Sequence, residues 1–295
     1  MTQPARREGD PPLQATPTLA ISLRDVTKYF YKGDTRITAL ASITFDVRPG
    51  AFVSIIGPSG CGKSTILNLI AGLEEASEGT VYYGGIRVRH LSVGIGYVTQ
   101  RDTLLPWRTV EENIRLPLDI QAQRLDRLIG RRRDAEARDR VAWAINLVGL
   151  SGFERHLPGE LSGGMRKRTA LAQTLVYARE TVLMDEPFGA LDFQMRLQLQ
   201  AELLHIWSAE RRTIVFVTHD IEEAIALSDE IIIVSRRPGR ILDTVRVDLP
   251  RPRDPVTVRF EGRFQDLYKR VWSHVEPAEA RVRAGGSPAS EVPRA

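Results

Sequence analysis

The residues with the clearest chemistry in this chain are Gly57-Pro58-Ser59-Gly60-Cys61-Gly62-Lys63-Ser64-Thr65. Their spacing fits GxxxxGK[ST], a glycine-rich loop whose successive backbone N–H groups cradle phosphates. Gly57, Gly60 and Gly62 let the backbone wrap close to an anion, and the helix N-terminus after Gly62 adds its dipole. Lys63 is placed to reach the β- and γ-phosphates of a nucleotide, and Ser64 to ligate Mg²⁺. The loop by itself does not separate an ATPase from a GTPase or a kinase. Cys61 has two readings. It is either a thiol activated by the helix N-terminus, and so a redox sensor, or a small residue that fits a tight loop. The second fits phosphoryl transfer better, where water is the nucleophile.

Further along, the apolar run TVLMD ends in Asp185, followed by Glu186. An acid at the C-terminal end of a buried parallel strand lies in the crevice where such sheets bind ligands. Asp185 therefore suits the Mg²⁺ shell, directly or through water, and Glu186 suits a general base that polarises the attacking water. A strand-end acid capping a turn is the plain alternative, and the phosphate loop upstream weighs against it. His219 ends the next apolar run, TIVFVTH, at the same expected sheet edge, which suits a γ-phosphate contact. His90, His156, His205 and His274 lack such a context and read as structural or surface residues. A second anion site is written in Leu161-Ser162-Gly163-Gly164: Ser162 is a helix N-cap, and the two glycines expose the first-turn N–H groups. One domain holding one nucleotide has no evident use for two such sites.

The elements that must carry these residues can be traced by pattern. AISLRDV, ITALASITFDV and AFVSIIG read as short strands separated by Lys32-Gly33-Asp34 and Pro49-Gly50. Val81–Val88 reads as two short strands about Gly84-Gly85, and Gly94–Thr99 as one more. Glu111–Leu150 carries helix-spaced apolar residues, among them Ile114, Leu118, Val141, Ile145 and Val148. Helices are also expected over Thr169–Tyr177, Phe193–Glu210 and Phe264–Val275, with a strand region at ILDTVRVDL from Ile241. Short, continuously apolar strands alternating with helices indicate an α/β fold with a parallel sheet covered on both faces. The Pro-rich polar segment 1–18 is expected to be disordered. No internal repeat is visible.

The bulk composition sets outer bounds. Of 295 residues, 42% are hydrophobic and 26% charged, which suits a globular protein with a real core. No apolar run approaches the roughly 18 residues of a membrane-spanning helix. The longest, around Thr213–Thr218 and Glu230–Val234, are strand-sized. The N-terminus has no apolar core of a secretory signal. The single Cys61 precludes an internal disulfide and fits a reducing compartment. With a net charge of +4, the arginines at Arg124–Arg140 and Arg236–Arg253 allow a nucleic-acid reading. The first cluster, however, alternates with acids and reads as a solvated helix face.

The LSGGMRKR segment at Leu161–Arg168 resembles the signature motif of ABC-type ATPases, and the order of motifs around it agrees. Gln100 in YVTQ looks like the Q-loop, Gly189-Ala190-Leu191-Asp192 like the D-loop, and His219 like the switch histidine. Phe30 occupies the place of the aromatic that stacks on adenine, with Tyr29 and Tyr31 as nearby substitutes. The resemblance runs from about Ala20 to Glu276. It implies a P-loop, RecA-like parallel-sheet core with an N-terminal antiparallel β subdomain and an inserted helical subdomain. The cassette would span 19–276, the helical subdomain about 104–178, and disordered tails 1–18 and 277–295.

It further implies ATP and Mg²⁺ as cofactors, with Lys63, Ser64, Gln100 and Asp185 around them and Glu186 and His219 at the γ-phosphate. Two cassettes would pair head to tail, so that Ser162, Gly163, Gly164 and Asp192 serve the partner copy's nucleotide. The chain would sit on the cytoplasmic face of a membrane, beneath a separate permease that meets the segment Thr103–Leu118, with an extracytoplasmic solute-binding protein as an indirect partner and no nucleic acid. Met165, where many members have Gln, resembles importer ATPases for nitrate, sulfonates and taurine. So do LLPWRTVEENI and RRPGRILDTVRVDLPRPRD. Lys167, where Gln is frequent, leaves detail of the dimer contact open. Two alternatives stand beside an importer: an ABC-type ATPase acting on nucleic acid or ribosomes, which typically has two cassettes or a long coiled coil, and an exporter ATPase.

Overall fold

A computed structural model describes residues 19–91, 94–124, 130–177 and 179–284, the side chains within 122–134 and 276–284 excepted. The segments 1–18 and 285–295, expected to be disordered, lie outside these residues. Two sheets organise the chain. β3 (Phe52–Ile56), β7 (Thr181–Asp185), β8 (Thr213–Thr218) and β9 (Glu230–Val234) are almost wholly buried. They form the centre of a six-stranded sheet in the order β10-β9-β3-β8-β7-β6. β6 (Ile95–Val98) through β9 run parallel, and only the edge strand β10 (Ile241–Arg246) is antiparallel. Continuous apolar strands demand cover on both faces, and they receive it.

One face lies under α2 (Val110–Arg124), α3 (Gly130–Leu147), α4 (Gly163–Leu175) and α5 (Phe193–Glu210), around Trp207, Phe188 and Phe216. The helices α2 to α4 fall between β6 and β7 in the chain and pack on one another, which is the inserted helical subdomain. The other face meets α1 (Lys63–Ala71) and the second sheet. That sheet is antiparallel, with β2 (Thr35–Val47), β1 (Ile21–Lys32), β4 (Glu78–Tyr83) and β5 (Ile86–Arg87) side by side in that order. A third cluster joins α6 (Ile221–Leu227), β9, β10 and α7 (Gly262–Ala284).

Several elements differ from the pattern reading for physical reasons. β1 (Ile21–Lys32) runs well past Val26, because it pairs with β2 (Thr35–Val47) as far as Lys32↔Thr35 across the Gly33 turn. Cross-strand pairing, which a single strand's sequence does not display, carries the polar end. The Val81–Val88 hairpin is present as β4 (Glu78–Tyr83) and β5 (Ile86–Arg87), turning on Gly84 and Gly85, both at positive φ. Such a turn needs φ > 0 at both central positions. Helix α7 exceeds Phe264–Val275 at both ends and continues past the boundary placed at Glu276, so residues 277–284 are helical rather than tail. Among the described residues, no helix is long and apolar enough to cross a membrane.

Candidate functional site

Parallel register brings the chemistry together. Ile56 lies beside Thr218 in the β3–β8 pair, Asp185 beside Val217 in β7–β8, and Val98 beside Met184 in β6–β7. The phosphate loop, His219, Asp185-Glu186 and Thr99-Gln100 therefore follow four adjacent strands at one sheet edge, the C-terminal edge where α/β sheets bind ligands.

The loop is built tightly. A Cβ at Gly57 would stand 2.5 Å from the Val234 carbonyl oxygen, and one at Gly62 2.6 Å from Leu40. Gly60 and Gly62 hold φ of 75° and 106°, which L side chains rarely adopt. Gly62 is the N-cap of α1 and places no side chain over its first N–H groups. The Lys63 ammonium is buried and donates to the carbonyls of Gly57 (2.7 Å) and Pro58 (3.0 Å). It thus lies across the cradle. Ser59 and Gly60 are exposed at the loop's outer bend, with Pro58 half-buried beside them. Arg237, from the turn between β9 and β10, donates to the Gly60 carbonyl at 3.1 Å. Cys61 is buried, and burial pushes its thiol above the ordinary range. A raised thiol pKa runs against activation as a thiolate.

Asp185 is 3% exposed, and Ser64 is the first of the groups that favour its charged form. Burial raises its pKa most; Ser64, Lys63 and Lys167 oppose the shift, while Glu186 adds to it. A hydroxyl and a carboxylate side by side at the loop's edge form a donor set suited to Mg²⁺, a hard cation that keeps several waters and phosphate oxygens in its shell. Among the described residues, no group of three His, Cys, Asp or Glu forms an all-protein metal cage, which such a cation does not require. Glu186 holds a left-handed backbone at φ 48°, fixed by its N–H on the Val217 carbonyl at 2.9 Å. Backbone strain of about 1–3 kcal/mol per residue is retained where the surroundings over-determine it. Its Oε1 lies 3.4 Å from His219 Nδ1, and that imidazole is 63% exposed. The acid, the histidine and the loop lysine thus meet at one open edge.

The signature segment has different surroundings. Ser162 caps α4, its Oγ accepting from the Met165 N–H at 3.2 Å. Ser162 and Gly163 are exposed, and Gly164 packs against the carbonyl of Ala190. Asp192 is the N-cap of α5, its Oδ1 accepting from Met195 N–H at 2.9 Å. Gln100 is exposed at the end of β6. Phe30 lies under the Lys28 ammonium, 4.9 Å from its ring centroid, while Tyr29 and Tyr31 contact each other edge to face.

A family model described as ABC transporter matches residues 40–189. An aliphatic sulfonates import ATP-binding protein of Bacillus cereus is 41% identical over 88% of this chain and 96% of its own length. That of Bacillus subtilis is 38% identical over 91% and 99%. This chain belongs to the ABC transporter ATP-binding proteins. An uncharacterized ABC transporter ATP-binding protein of Methanocaldococcus jannaschii is 43% identical over 81% of the chain and 86% of its own length. Among solved structures, a dimeric ATP-binding cassette in a post-hydrolysis state with ADP and Pi matches with a TM-score of 0.69 at 32% identity, covering 78% of this chain and all of that one.

The nucleotide bound by this family is ATP. Two features escaped the sequence reading. Lys167 is buried and donates to the carbonyls of Thr99 and Gln100 in the same chain. In the Arg236–Arg253 cluster, Arg251 and Arg253 serve the fold. Arg253 donates to the carbonyls of Ile225, Ser228, Val247 and Leu249, and Arg251 pairs with Asp229 over the Trp207 ring. An arginine-rich stretch gives no local signal that its members point inward.

Proposed function

We propose that this chain is the ATP-hydrolysing subunit of an importer for a small organosulfonate or related oxyanion. In this reading it works as a head-to-tail dimer beneath a separate membrane permease, on the cytoplasmic face, with an extracytoplasmic solute-binding protein delivering the solute. The observation that carries the substrate class is the match to aliphatic sulfonates import ATP-binding proteins over nearly the full length of both chains. Met165 and the LLPWRTVEENI segment support it. The exposed starts of α4 and α5, with Ser162, Gly163 and Asp192 open to solvent, support the dimer.

Catalysis in this reading is orientation and charge stabilisation. Lys63 and the loop N–H groups hold the β- and γ-phosphates. Ser64, Asp185 and Gln100 would hold Mg²⁺, which neutralises phosphate charge when bound. Glu186 accepts a proton from water, while His219, aligned by its contact with Glu186, faces the γ-phosphate. Ser162 and Gly164 of a second copy close the site. The segment Thr103–Leu118 receives the permease: Trp107 is 72% exposed there, on a loop anchored by buried Asn113 to Leu105, Arg108 and Thr109.

The test is reconstitution with the permease in liposomes, followed by ATPase assays with binding protein and candidate solutes. Sulfonates should stimulate turnover several-fold. Stimulation confined to an unrelated solute class would reject the substrate, and turnover indifferent to the permease would reject transport.

A further inference from the structure

Lys167 stands in the second turn of the signature helix α4, with 6% of its surface exposed. Its Nζ donates to the Thr99 carbonyl at 2.7 Å and to the Gln100 carbonyl at 2.9 Å. The neighbouring Arg166 donates to Asp102 at 2.7 Å and to Leu161 O at 2.7 Å. The start of α4 is thereby tied to the whole turn 99–102, with nothing covalent between them for more than fifty residues. Burying an ammonium is expensive unless it is hydrogen-bonded and its charge is answered. Here desolvation pushes the lysine pKa down, while Asp185, Asp102 and Glu186 push it back up. Two of these carboxylates belong to the nucleotide edge. The charge therefore lies within electrostatic reach of that acid edge.

We propose that Lys167 is a positioning residue for ATP hydrolysis, a two-pronged clamp on the backbone of Thr99 and Gln100 that makes the Q-loop move with the signature helix and sets where the Gln100 side chain sits. Charge-assisted bonds to carbonyls are about twice as strong as neutral ones, so α4 and the 99–102 turn behave as one body. Any displacement of the helical subdomain then carries Gln100 toward or away from the nucleotide. The clamp rests on the hydrolytic reading of the ATP site and is independent of which solute is transported.

A merely structural lysine and a positioning lysine give different double-mutant cycles. The experiment measures steady-state ATPase for the parent chain, Lys167→Met, Gln100→Ala and the double variant, with thermal unfolding of each. In the parent background Lys167→Met should lower kcat about tenfold with KM for ATP within about twofold. In the Gln100→Ala background the same substitution should cost less than about twofold, because the group it positions is gone. Equal factors in the two backgrounds overturn the proposal, as does an unchanged kcat in Lys167→Met. Should Lys167→Met not fold, Lys167→Ala, which likewise removes both donations, carries the same cycle with the same two outcomes. Glu186→Gln separates the two levels of the argument. If it leaves turnover intact, the hydrolytic reading fails. If it abolishes turnover while the cycle is additive, only the clamp fails.

Discussion

The two glycine-rich helix starts in this cassette are built in opposite ways. α1 begins at Gly62 with no capping side chain, walled in by its own chain: Leu40 and Ala39 on one side, Val234 on another, Arg237 over Gly60. α4 begins at Ser162 with its hydroxyl on the Met165 N–H, and Ser162 and Gly163 are exposed. Both present N–H groups and a positive dipole end. Only the first has Lys63, Asp185 and Glu186 within its own walls. The contrast teaches that anion affinity comes with a helix terminus, whereas chemistry needs a wall. A start that faces outward has to borrow a wall from another molecule.

The strongest way to break this contrast is to disable the walled side alone. Glu186→Gln should lower turnover by about 10²-fold or more, on the scale of lost general-base catalysis, while ATP affinity stays within about threefold. Parent-rate hydrolysis in that variant would place the base elsewhere. The outward side should fail differently. Ser162→Ala removes an N-cap, which costs about 1 kcal/mol of helix stability, and, in the proposed dimer, a contact to the partner's phosphate. Turnover should drop about tenfold or more, and equilibrium ATP binding to isolated chains should not change.

Mixing sharpens the comparison further. Lys63→Ala chains lack a working loop and Ser162→Ala chains a working signature, so each homodimer is impaired in both sites. A mixed pair assembles one intact composite site, from the loop of one chain and the signature of the other. Mixed preparations should therefore recover roughly a quarter of parent turnover at equal amounts, if pairing is statistical and sites act independently. Activity that never exceeds the mean of the two impaired preparations would show that each site is complete within one chain.

What was legible in the sequence follows from range. The phosphate loop, the acid pair and the signature each lie within a few consecutive residues, and their flanking strands are continuous apolar runs, so pattern alone located them. β3, β7, β8 and β9 were visible for the same reason. What was not legible depends on register and rotation between distant segments. The inward turn of Lys167 is set by how α4 lies on β6, with its carbonyl partners 68 and 67 residues away. The contact of Arg237 with Gly60 spans 177 residues. The left-handed backbone of Glu186 is fixed by a neighbouring strand's carbonyl. Asp192 is a helix cap only because the chain turns into α5 there. In β1, the polar continuation past Val26 is held by its partner strand rather than by its own alternation.

The smallest effect expected is also the one that ties the walled site to stability. Asp185 is buried, and burial raises its pKa above 3.8 despite the help of Ser64 and Lys63. A raised acid pKa means that the folded state binds the proton more tightly than the unfolded one. Its stabilising contribution is then fully present below pH 3.8 and is lost as pH rises through the folded value. At neutral pH, without nucleotide or metal, the chain carries a buried carboxylate whose desolvation is not fully offset. Asp185→Asn removes that charge and keeps an acceptor for Ser64. It should raise the thermal midpoint at pH 7 to 8 by about 2–4 °C, the shift that accompanies roughly 1 kcal/mol in a domain of this size. The gain should shrink as the pH is lowered toward 4, where the parent carboxyl takes up its proton. A variant that is less stable than the parent at pH 7.5, or whose advantage persists unchanged at pH 4, would mean that Ser64 and Lys63 already offset the buried charge. The acid edge would then resemble a satisfied structural cluster rather than a site whose charge awaits a cation.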